Sequence, residues 1–259
     1  MVKVNDIIEI FESKAPASLA YSWDNTGLIC GDTDKEVNKV FLTLDVTTET
    51  VNEAAKLNSD MIISHHPIMF NGIKKIDYTS PEGYIIKTLL ENNIALYAAH
   101  TSIDNACGGI NDVLAQKLEI KDTQIIEKSE IFEGCGLGRI GKLKKEMKLK
   151  EFALFVKEKL DTPFVRVCGD LEKTIKFAAV GSGACDNLIE PALKMGADVM
   201  VTSDMKYHIS IESVEKGICV IDAGHFPTEN FVKDIFEDLL KDTGITIYKS
   251  NQKDIFNIV

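Results

Sequence analysis

Apolar and polar residues alternate along this chain in short blocks that are typical of an α/β protein. Buried strands are predicted by apolar runs, which lie at residues 40–45, 60–64, 94–99, 175–181, 198–204 and 218–224. Amphipathic helices are predicted where apolar residues recur at intervals of three and four, beginning with Val4, Ile7, Ile8 and Phe11. The pattern therefore predicts strands that alternate with helices along most of the chain.

Capping residues mark the starts of the predicted helices. Thr47 or Thr48 is expected to cap the helix after the first strand. Ser80 is expected to cap the next helix, with Pro81 at its first helical position, where a missing N–H group costs nothing. The last helix is expected to begin at Pro227.

The second half of the chain repeats the rhythm of the first. The segment DMIISHH at 60–66 lines up with DVMVTSD at 198–204, and IALYAAH at 94–100 lines up with ICVIDAGH at 218–225. This predicts an internal duplication of a βαβ-type unit. We therefore expect two α/β lobes, which would span residues 1–127 and 128–259.

The segment between these repeats differs from them in composition. It contains GLGRIG at 136–141, a literal glycine pattern of dinucleotide-binding proteins, but a lysine-rich stretch follows instead of an apolar helix start. We expect these glycines to lie in a bulged strand or in one that another backbone approaches closely. The stretch KLKKEMKLKE at 142–151 is expected to be a solvated surface run that leads into a helix around Phe152 and Val156.

Composition narrows the class of protein. The 259 residues are 45% hydrophobic, enough for a sizeable core, and the net charge of −11 argues against a nucleic-acid partner. The six cysteines are scattered without metal-binding spacing, so reduced buried thiols are expected. No stretch is long enough to span a bilayer and the N-terminus does not resemble a signal peptide, so we expect a cytoplasmic protein.

Histidines are few, and each lies at or shortly after the end of a predicted strand. There are five of them, His65, His66, His100, His208 and His225. Open α/β sheets bind their ligands at the carboxyl ends of the strands, so these positions predict a binding site.

The adjacent pair His65 and His66 is the first candidate for metal binding. Neighbouring side chains on a regular strand point to opposite faces, and Pro67 favours an extended His66. At a strand end the two imidazoles can diverge toward two ions, which lie about 3.5–4 Å apart in two-metal sites. The alternative is a pair of polar histidines in a loop, hydrogen-bonded without any metal.

Carboxylates accompany two of the other histidines. Glu229 follows His225 by four residues, so one helical turn brings them to the same side, and a glutamate can bridge two cations. The alternative for Glu229 is an interaction with the helix dipole alone. Asp104 follows His100 in a small, polar loop; it completes a set of three histidines and two carboxylates, or serves only as a cap or turn residue.

Mixed imidazole and carboxylate ligands suit zinc, manganese or iron better than magnesium or calcium. Two such ions that share a hydroxide generate a nucleophile at neutral pH. The candidate residues therefore favour a metal-dependent hydrolase, and the residues alone do not separate the three metals.

Three motifs resemble a known family. The segments SHHPIMF, HTSIDNACGGIND and GHFPTEN, in this order and near these separations, are similar to those of the Nif-three-like dinuclear metal-centre proteins, also called GTP cyclohydrolase I type 2 homologues. SWDNTGLICGD, LTLDVT and TSDMKYH also resemble segments of that family, so the resemblance covers nearly the whole chain. TSDMKYH lacks the glycine expected before its acidic residue, which leaves the roles of Ser203 and Asp204 open.

The resemblance implies a fold, a metal centre and an assembly. The fold would consist of two intertwined, pseudo-duplicated α/β lobes with mixed sheets. Two divalent ions per chain would be held, with Glu229 bridging, by His65, His66, Asp104, His225 and Glu229. Subunits would form a toroidal homohexamer whose metal sites face its inner cavity, and the substrate would be a small molecule, a purine nucleotide such as GTP.

Other polar residues have weaker assignments. His100 is a candidate for proton transfer in catalysis or for orienting a ligand, and His208 for contact with a substrate. Asp24 and Asp45 are candidates for orienting loops or metal ligands. A second functional hypothesis is a metal-loaded regulatory or binding assembly that turns over no substrate.

Overall fold

The computed structural model describes residues 1–259, which divide into two compact units. The first unit comprises Met1–Ile103 and Asn230–Lys253, and the second comprises Asp104–Glu229 and Asp254–Val259. The chain thus passes from the first unit to the second and returns near its end. The expected lobes, residues 1–127 and 128–259, have other bounds: the second unit already begins at Asp104, and the C-terminal helix and strand belong to the first unit.

Strands and helices alternate as the hydrophobic pattern predicts. The strands are β1 (Gly27–Cys30), β2 (Lys39–Thr43), β3 (Met61–Ser64), β4 (Ala95–Ala98), β5 (Ile120–Lys128), β6 (Gly136–Lys148), β7 (Arg166–Cys168), β8 (Thr174–Val180), β9 (Val199–Thr202), β10 (Cys219–Asp222) and β11 (Thr246–Lys249). The α-helices are α1 (Val4–Lys14), α2 (Thr48–Lys56), α3 (Pro81–Glu91), α4 (Thr101–Asn105), α5 (Ile110–Lys117), α6 (Leu149–Lys159), α7 (Ile189–Lys194), α8 (Tyr207–Glu215), α9 (His225–Glu229) and α10 (Val232–Leu240). Short 3₁₀ helices span Ala17–Leu19 and Asp186–Leu188.

The first unit is built on a five-stranded mixed sheet with the order β1-β4-β3-β2-β11. The four strands from β4 to β11 in this order are parallel, and β1 is antiparallel to β4. The apolar runs that predicted strands here are β2, β3 and β4, whose residues are almost all buried. Thr47 caps α2 and Ser80 caps α3, as expected, because each side chain accepts a hydrogen bond from a free N–H of the first turn.

The second unit is built on a six-stranded mixed sheet with the order β5-β6-β8-β9-β10-β7. Strands β8, β9 and β10 are parallel, and the outer pairs are antiparallel. The lysine-rich stretch at 142–151 is not merely a surface run, because β6 continues through it to Lys148. Its lysines are largely exposed while Leu143 is buried, which is the alternation of a strand with one solvated face.

The glycines of GLGRIG are required by close approach of the neighbouring strand β5, as expected. A Cβ atom at Gly136 would lie 2.1 Å from the carbonyl oxygen of Glu127, and one at Gly141 would lie 2.3 Å from that of Lys121. Larger residues at these two positions would therefore force β5 and β6 apart. The segment has no dinucleotide-binding geometry, since it lies within a strand and not at a strand-to-helix turn.

Both units contain the same β–α–β–α–β arrangement, and in each of them one aspartate accepts hydrogen bonds from two consecutive backbone N–H groups. One carboxylate oxygen of Asp60 accepts the backbone N–H groups of residues 38 and 39 at 2.8 and 3.0 Å. Asp198 accepts those of residues 176 and 177 at 2.8 and 3.0 Å. The expected duplication is thus present in the geometry, and the equivalence of Asp60 with Asp198 makes Asp204 the counterpart of His66 in the second copy.

Removing either of these carboxylates should destabilise the protein by about 2 kcal/mol, because two backbone N–H groups lose a charged acceptor. We expect similar losses for Asp60→Ala and Asp198→Ala in urea unfolding. Asp34→Ala is the control, since Asp34 is 83% exposed and forms a surface ion pair that contributes little. If Asp198→Ala unfolded at the same urea concentration as Asp34→Ala, Asp198 would not stabilise its unit as Asp60 does.

A membrane-spanning helix is absent. The longest helices, α1, α3 and α6, contain 11 residues each, whereas a span of the hydrocarbon core takes about 20.

Candidate metal centre

Two parallel neighbouring strands gather three histidines at one edge of the first sheet. His65 and His66 directly follow β3, and His100 lies two residues beyond the end of β4. Because β3 and β4 are parallel, their carboxyl ends meet, and the ring nitrogens that could bind an ion lie within 4.8 Å of one another. This is the position at which open α/β sheets bind ligands.

Oxygen acceptors orient both imidazoles of the adjacent pair. The Nδ1 atom of His65 lies 2.9 Å from the carbonyl oxygen of Ala99, and that of His66 lies 2.7 Å from Oδ1 of Asp45. An oxygen acceptor at Nδ1 selects the tautomer that carries its proton there. The lone pair of a neutral ring then lies on Nε2, which is the usual arrangement of a metal-binding histidine.

His100 is oriented by Asp24 in the same way. Oδ1 of Asp24 lies 2.8 Å from Nδ1 of His100, and Oδ2 accepts hydrogen bonds from the backbone and hydroxyl of Thr101. Burial alone would raise the pKa of Asp24, but the hydrogen bonds from His100 and Thr101 outweigh it and lower the pKa to about 2. Asp24 is therefore a carboxylate at neutral pH, and it acts as an acceptor for His100.

In the second unit, His225 lies between two carboxylates. Its Nδ1 atom is 2.6 Å from Oδ2 of Asp204, and its Nε2 atom is 2.9 Å from Oε2 of Glu229. A neutral imidazole carries one N–H and can donate to only one of them. With the proton on Nδ1, the Nε2 lone pair faces a negative oxygen, an arrangement that a shared cation would stabilise.

Glu229 is 3% exposed and ends the short helix α9, which begins at His225. It was expected in the first turn of the last helix, but the chain forms this separate turn before α10 begins at Val232. The spacing of four residues still brings His225 and Glu229 together, as predicted. The carboxylate is therefore positioned by α9 and not by the dipole of the last helix.

Asp104 is 8% exposed and lies in the helical turn α4. Its carbonyl oxygen accepts a hydrogen bond from the side chain of Asn111, whose Oδ1 atom in turn accepts the backbone N–H of Ser182. These bonds fix the backbone of Asp104 to the loop after β8 within the second unit.

His208 lies on α8, apart from these clusters. It is exposed, and its ring contacts that of Tyr207 with centroids 5.6 Å apart. No contact in the second unit brings it to His225 or Glu229, so nothing in the structure supports the predicted contact with a substrate.

Sequence reasoning left Asp204 without a role and missed Gly183. Asp204 holds Nδ1 of His225, as Asp45 holds Nδ1 of His66. The alignment of DMIISHH with DVMVTSD could have indicated a role for Asp204, since it aligns this residue with His66, a candidate site residue of the first copy.

Gly183 leaves the space that Glu229 occupies. It has a φ of +60°, and a Cβ atom there would lie 2.1 Å from Oε1 of Glu229 and 3.2 Å from Nε2 of His225. We expect Gly183→Ala to displace the carboxylate and to weaken metal binding about tenfold or more, as measured by titration of the chelator-treated protein with Zn²⁺.

The control for this substitution is Gly134→Ala in the same unit. Gly134 also has a positive φ, of +77°, but a Cβ atom there meets nothing within 4 Å. Backbone strain is thus common to both variants and the clash is specific to one. Equal zinc affinity of the two variants would show that Gly183 is not needed to seat Glu229.

Two mixed sheets, with imidazoles and carboxylates gathered beyond the strand ends, define an α/β protein whose His/Glu cluster is consistent with metal binding. The model of the family Duf34/NIF3 (NGG1p interacting factor 3) matches residues 2–254, and the chain belongs to this family. The family that the sequence motifs indicated is therefore confirmed.

Relatives of known name and structure agree with this assignment. The chain is 37% identical over 228 residues to the GTP cyclohydrolase 1 type 2 homolog of Clostridium perfringens, a match that covers 88% of this chain and 87% of that protein. It is 39% identical over 229 residues to the protein of the same name from Clostridium acetobutylicum, covering 88% and 85%. The crystal structure of a Bacillus cereus protein related to NIF3 superposes with a TM-score of 0.92 at 27% identity, over 100% of this chain and 99% of that one, which confirms the predicted fold class.

Proposed function

We propose that this protein is a metal-dependent hydrolase with a dinuclear centre. The proposed ligands of its two divalent ions are His65, His66, Asp104, His225 and Glu229, with Glu229 bridging. The observation that carries the proposal is the common orientation of the histidines, each of which has an oxygen acceptor at Nδ1, so that the lone pair of the neutral ring lies on Nε2.

The donor set suits zinc, manganese or iron. When bound, a pair of such ions supplies a hydroxide nucleophile at neutral pH and stabilises negative charge that develops on the substrate. The chain's own contribution is to hold the ligands. Asp45 and Asp204 fix the ring orientation of His66 and His225 and favour the tautomer whose lone pair lies on Nε2.

His100 is the proposed proton-transfer residue. Its ring is 14% exposed, so it can reach solvent or substrate, and Asp24 holds its Nδ1–H. The Asp24 carboxylate stabilises the imidazolium that forms when Nε2 of His100 accepts a proton. The pair can therefore take up a proton from the attacking water and return it to a leaving group.

A purine nucleotide is the proposed substrate class. The support is the name of the Clostridium relatives, GTP cyclohydrolase 1 type 2 homolog, together with their 37% and 39% identity to this chain. In this reaction water would add to a carbon of the purine imidazole ring. The proposed assembly is a toroidal homohexamer, which light scattering on the purified protein would test directly.

Elemental analysis coupled to an activity screen tests the proposal. Protein purified without chelator should contain about two transition-metal ions per chain. Its zinc, manganese and iron forms should be screened against nucleotides and phosphoesters. His66→Ala should lose metal and activity, whereas His208→Ala removes the same side chain from an exposed helix position and should retain both. A folded wild-type protein that carries no metal and binds none on titration would refute the proposal.

A further inference from the structure

Two exposed aromatic rings stand beside His100. Trp23 is 57% exposed and Phe70 is 50% exposed, although both are large and apolar. Their ring centroids lie 6.0 and 5.7 Å from that of His100, and 6.2 Å from each other. We call this pair of side chains, Trp23 and Phe70, the aromatic wall.

The aromatic wall is held in place by its own loops. Trp23 stacks on Tyr21 with an interplanar angle of 9° and a centroid separation of 5.8 Å. The next residue, Asp24, holds the imidazole of His100, and Asn25 donates a side-chain hydrogen bond of 2.8 Å to the carbonyl oxygen of Met69. The loops that carry Trp23 and Phe70 are thus joined, and their position beside His100 is fixed.

This arrangement suits a planar ligand. Single exposed apolar side chains are common on protein surfaces, but adjacent ones at a functional site mark a binding surface. Tyr21 covers one face of the Trp23 indole, and more than half of that side chain is still accessible to solvent. Exposed aromatic faces beside polar groups bind flat heterocycles by stacking, and such stacking tolerates different bases because every base has a π-face.

We propose that the aromatic wall binds a planar aromatic ring of the substrate by stacking and thereby directs the substrate to the histidine cluster of the first unit. The inference rests on the proposed function, since the ring belongs to the substrate of the same site. It assigns the selection of that substrate to Trp23 and Phe70, which are not metal ligands.

The protein provides its own reporter for this test, because Trp23 is the only tryptophan in the sequence. GMP and ribose 5-phosphate share the sugar phosphate and differ in the purine ring. We expect GMP to change the tryptophan fluorescence in a saturable manner and ribose 5-phosphate to leave it unchanged at the same concentrations. Equal responses to the two probes would overturn the proposal.

Variants measured by calorimetry separate stacking from other roles. Trp23→Ala and Phe70→Ala should each weaken GMP binding about tenfold or more and leave the metal content unchanged. Tyr78→Ala is the matched control in the same unit, since Tyr78 is 58% exposed and its ring lies under the Lys87 ammonium, not beside His100. Unchanged GMP affinity in Trp23→Ala and Phe70→Ala would overturn the proposal.

Two further measurements distinguish the possible failures. If the wall variants change the oligomeric state and leave GMP affinity intact, the aromatic wall is a subunit interface and the proposal is wrong. Metal content is recorded for every sample. Ring-dependent GMP binding by a protein that binds no metal would support the role of the aromatic wall and refute the proposed hydrolase. A metal-loaded protein that binds GMP and ribose 5-phosphate equally would refute the role of the aromatic wall and leave the proposed metal centre intact.

Discussion

Replacing Glu229 with glutamine is expected to lower the metal content from about two ions per chain to one or none, and to abolish hydrolysis. Glutamine keeps the volume of the side chain but removes its charge, and its single carbonyl oxygen cannot bridge two cations. Glu229 is almost fully buried, and its Oε2 atom lies 2.9 Å from Nε2 of His225. Elemental analysis of the purified variant, followed by titration with Zn²⁺, gives the measurement.

Glu215→Gln serves as the control, because Glu215 is an exposed glutamate at the end of α8 in the same unit. Circular dichroism and light scattering should show that both variants fold and assemble as the wild type does. A Glu229→Gln protein that retains two ions per chain would exclude Glu229 as a bridging ligand. A Glu229→Gln protein that no longer assembles would instead favour a structural role for the metals and the regulatory hypothesis.

Replacing Arg139 with methionine is expected to destabilise the protein by about 2–3 kcal/mol, because it removes the buried partner of an ion pair whose carboxylate, Asp112, is 29% exposed. Arg139 is 2% exposed, and its Nε and Nη2 atoms donate to the two carboxylate oxygens of Asp112 at 2.6 and 2.8 Å. Its Nη1 atom donates to the carbonyl oxygens of Gly136 and Gly138. Methionine fills much of the space but removes these hydrogen bonds, and Asp112 keeps only the one from the backbone N–H of Gly108 among those described.

Urea unfolding of Arg139→Met measures the loss, and two further variants interpret it. The double variant Arg139→Met, Asp112→Leu removes both charges and should recover part of the stability. Lys176→Met removes a cation of an ion pair whose side chains are about half exposed, and it should change stability little. Equal stability of Arg139→Met and Lys176→Met would mean that the Arg139–Asp112 pair contributes nothing net.

The sequence predicted the part of the site that depends on strands with buried neighbours on both sides. The runs that became β3 and β4 are apolar throughout, so their ends were clear, and parallel pairing brings His65, His66 and His100 to one edge. The spacing of His225 and Glu229 worked for the same local reason, since four residues make about one helical turn.

Other features depend on contacts that a local pattern does not encode. Asp204 meets His225 because two loops converge after β9 and β10, and neither loop has a periodicity that signals it. Strands β1 and β11 lie at the edges of their sheet with residues only partly buried, so their sequences lack a strong alternation of apolar and polar residues. The exposed strand β5 was missed because most of its side chains face solvent.

The return of the chain to its first sheet has a consequence for synthesis. Strand β11 pairs with β2, so Tyr248 lies beside Phe41, and α10 belongs to the same unit. Until the ribosome has added α10 and β11, the sheet of the first unit lacks one edge strand and the helix that accompanies it. The second unit has nearly all of its residues once Glu229 has been synthesised, whereas the first unit, which began earlier, stays incomplete until Asn230–Lys253 has followed.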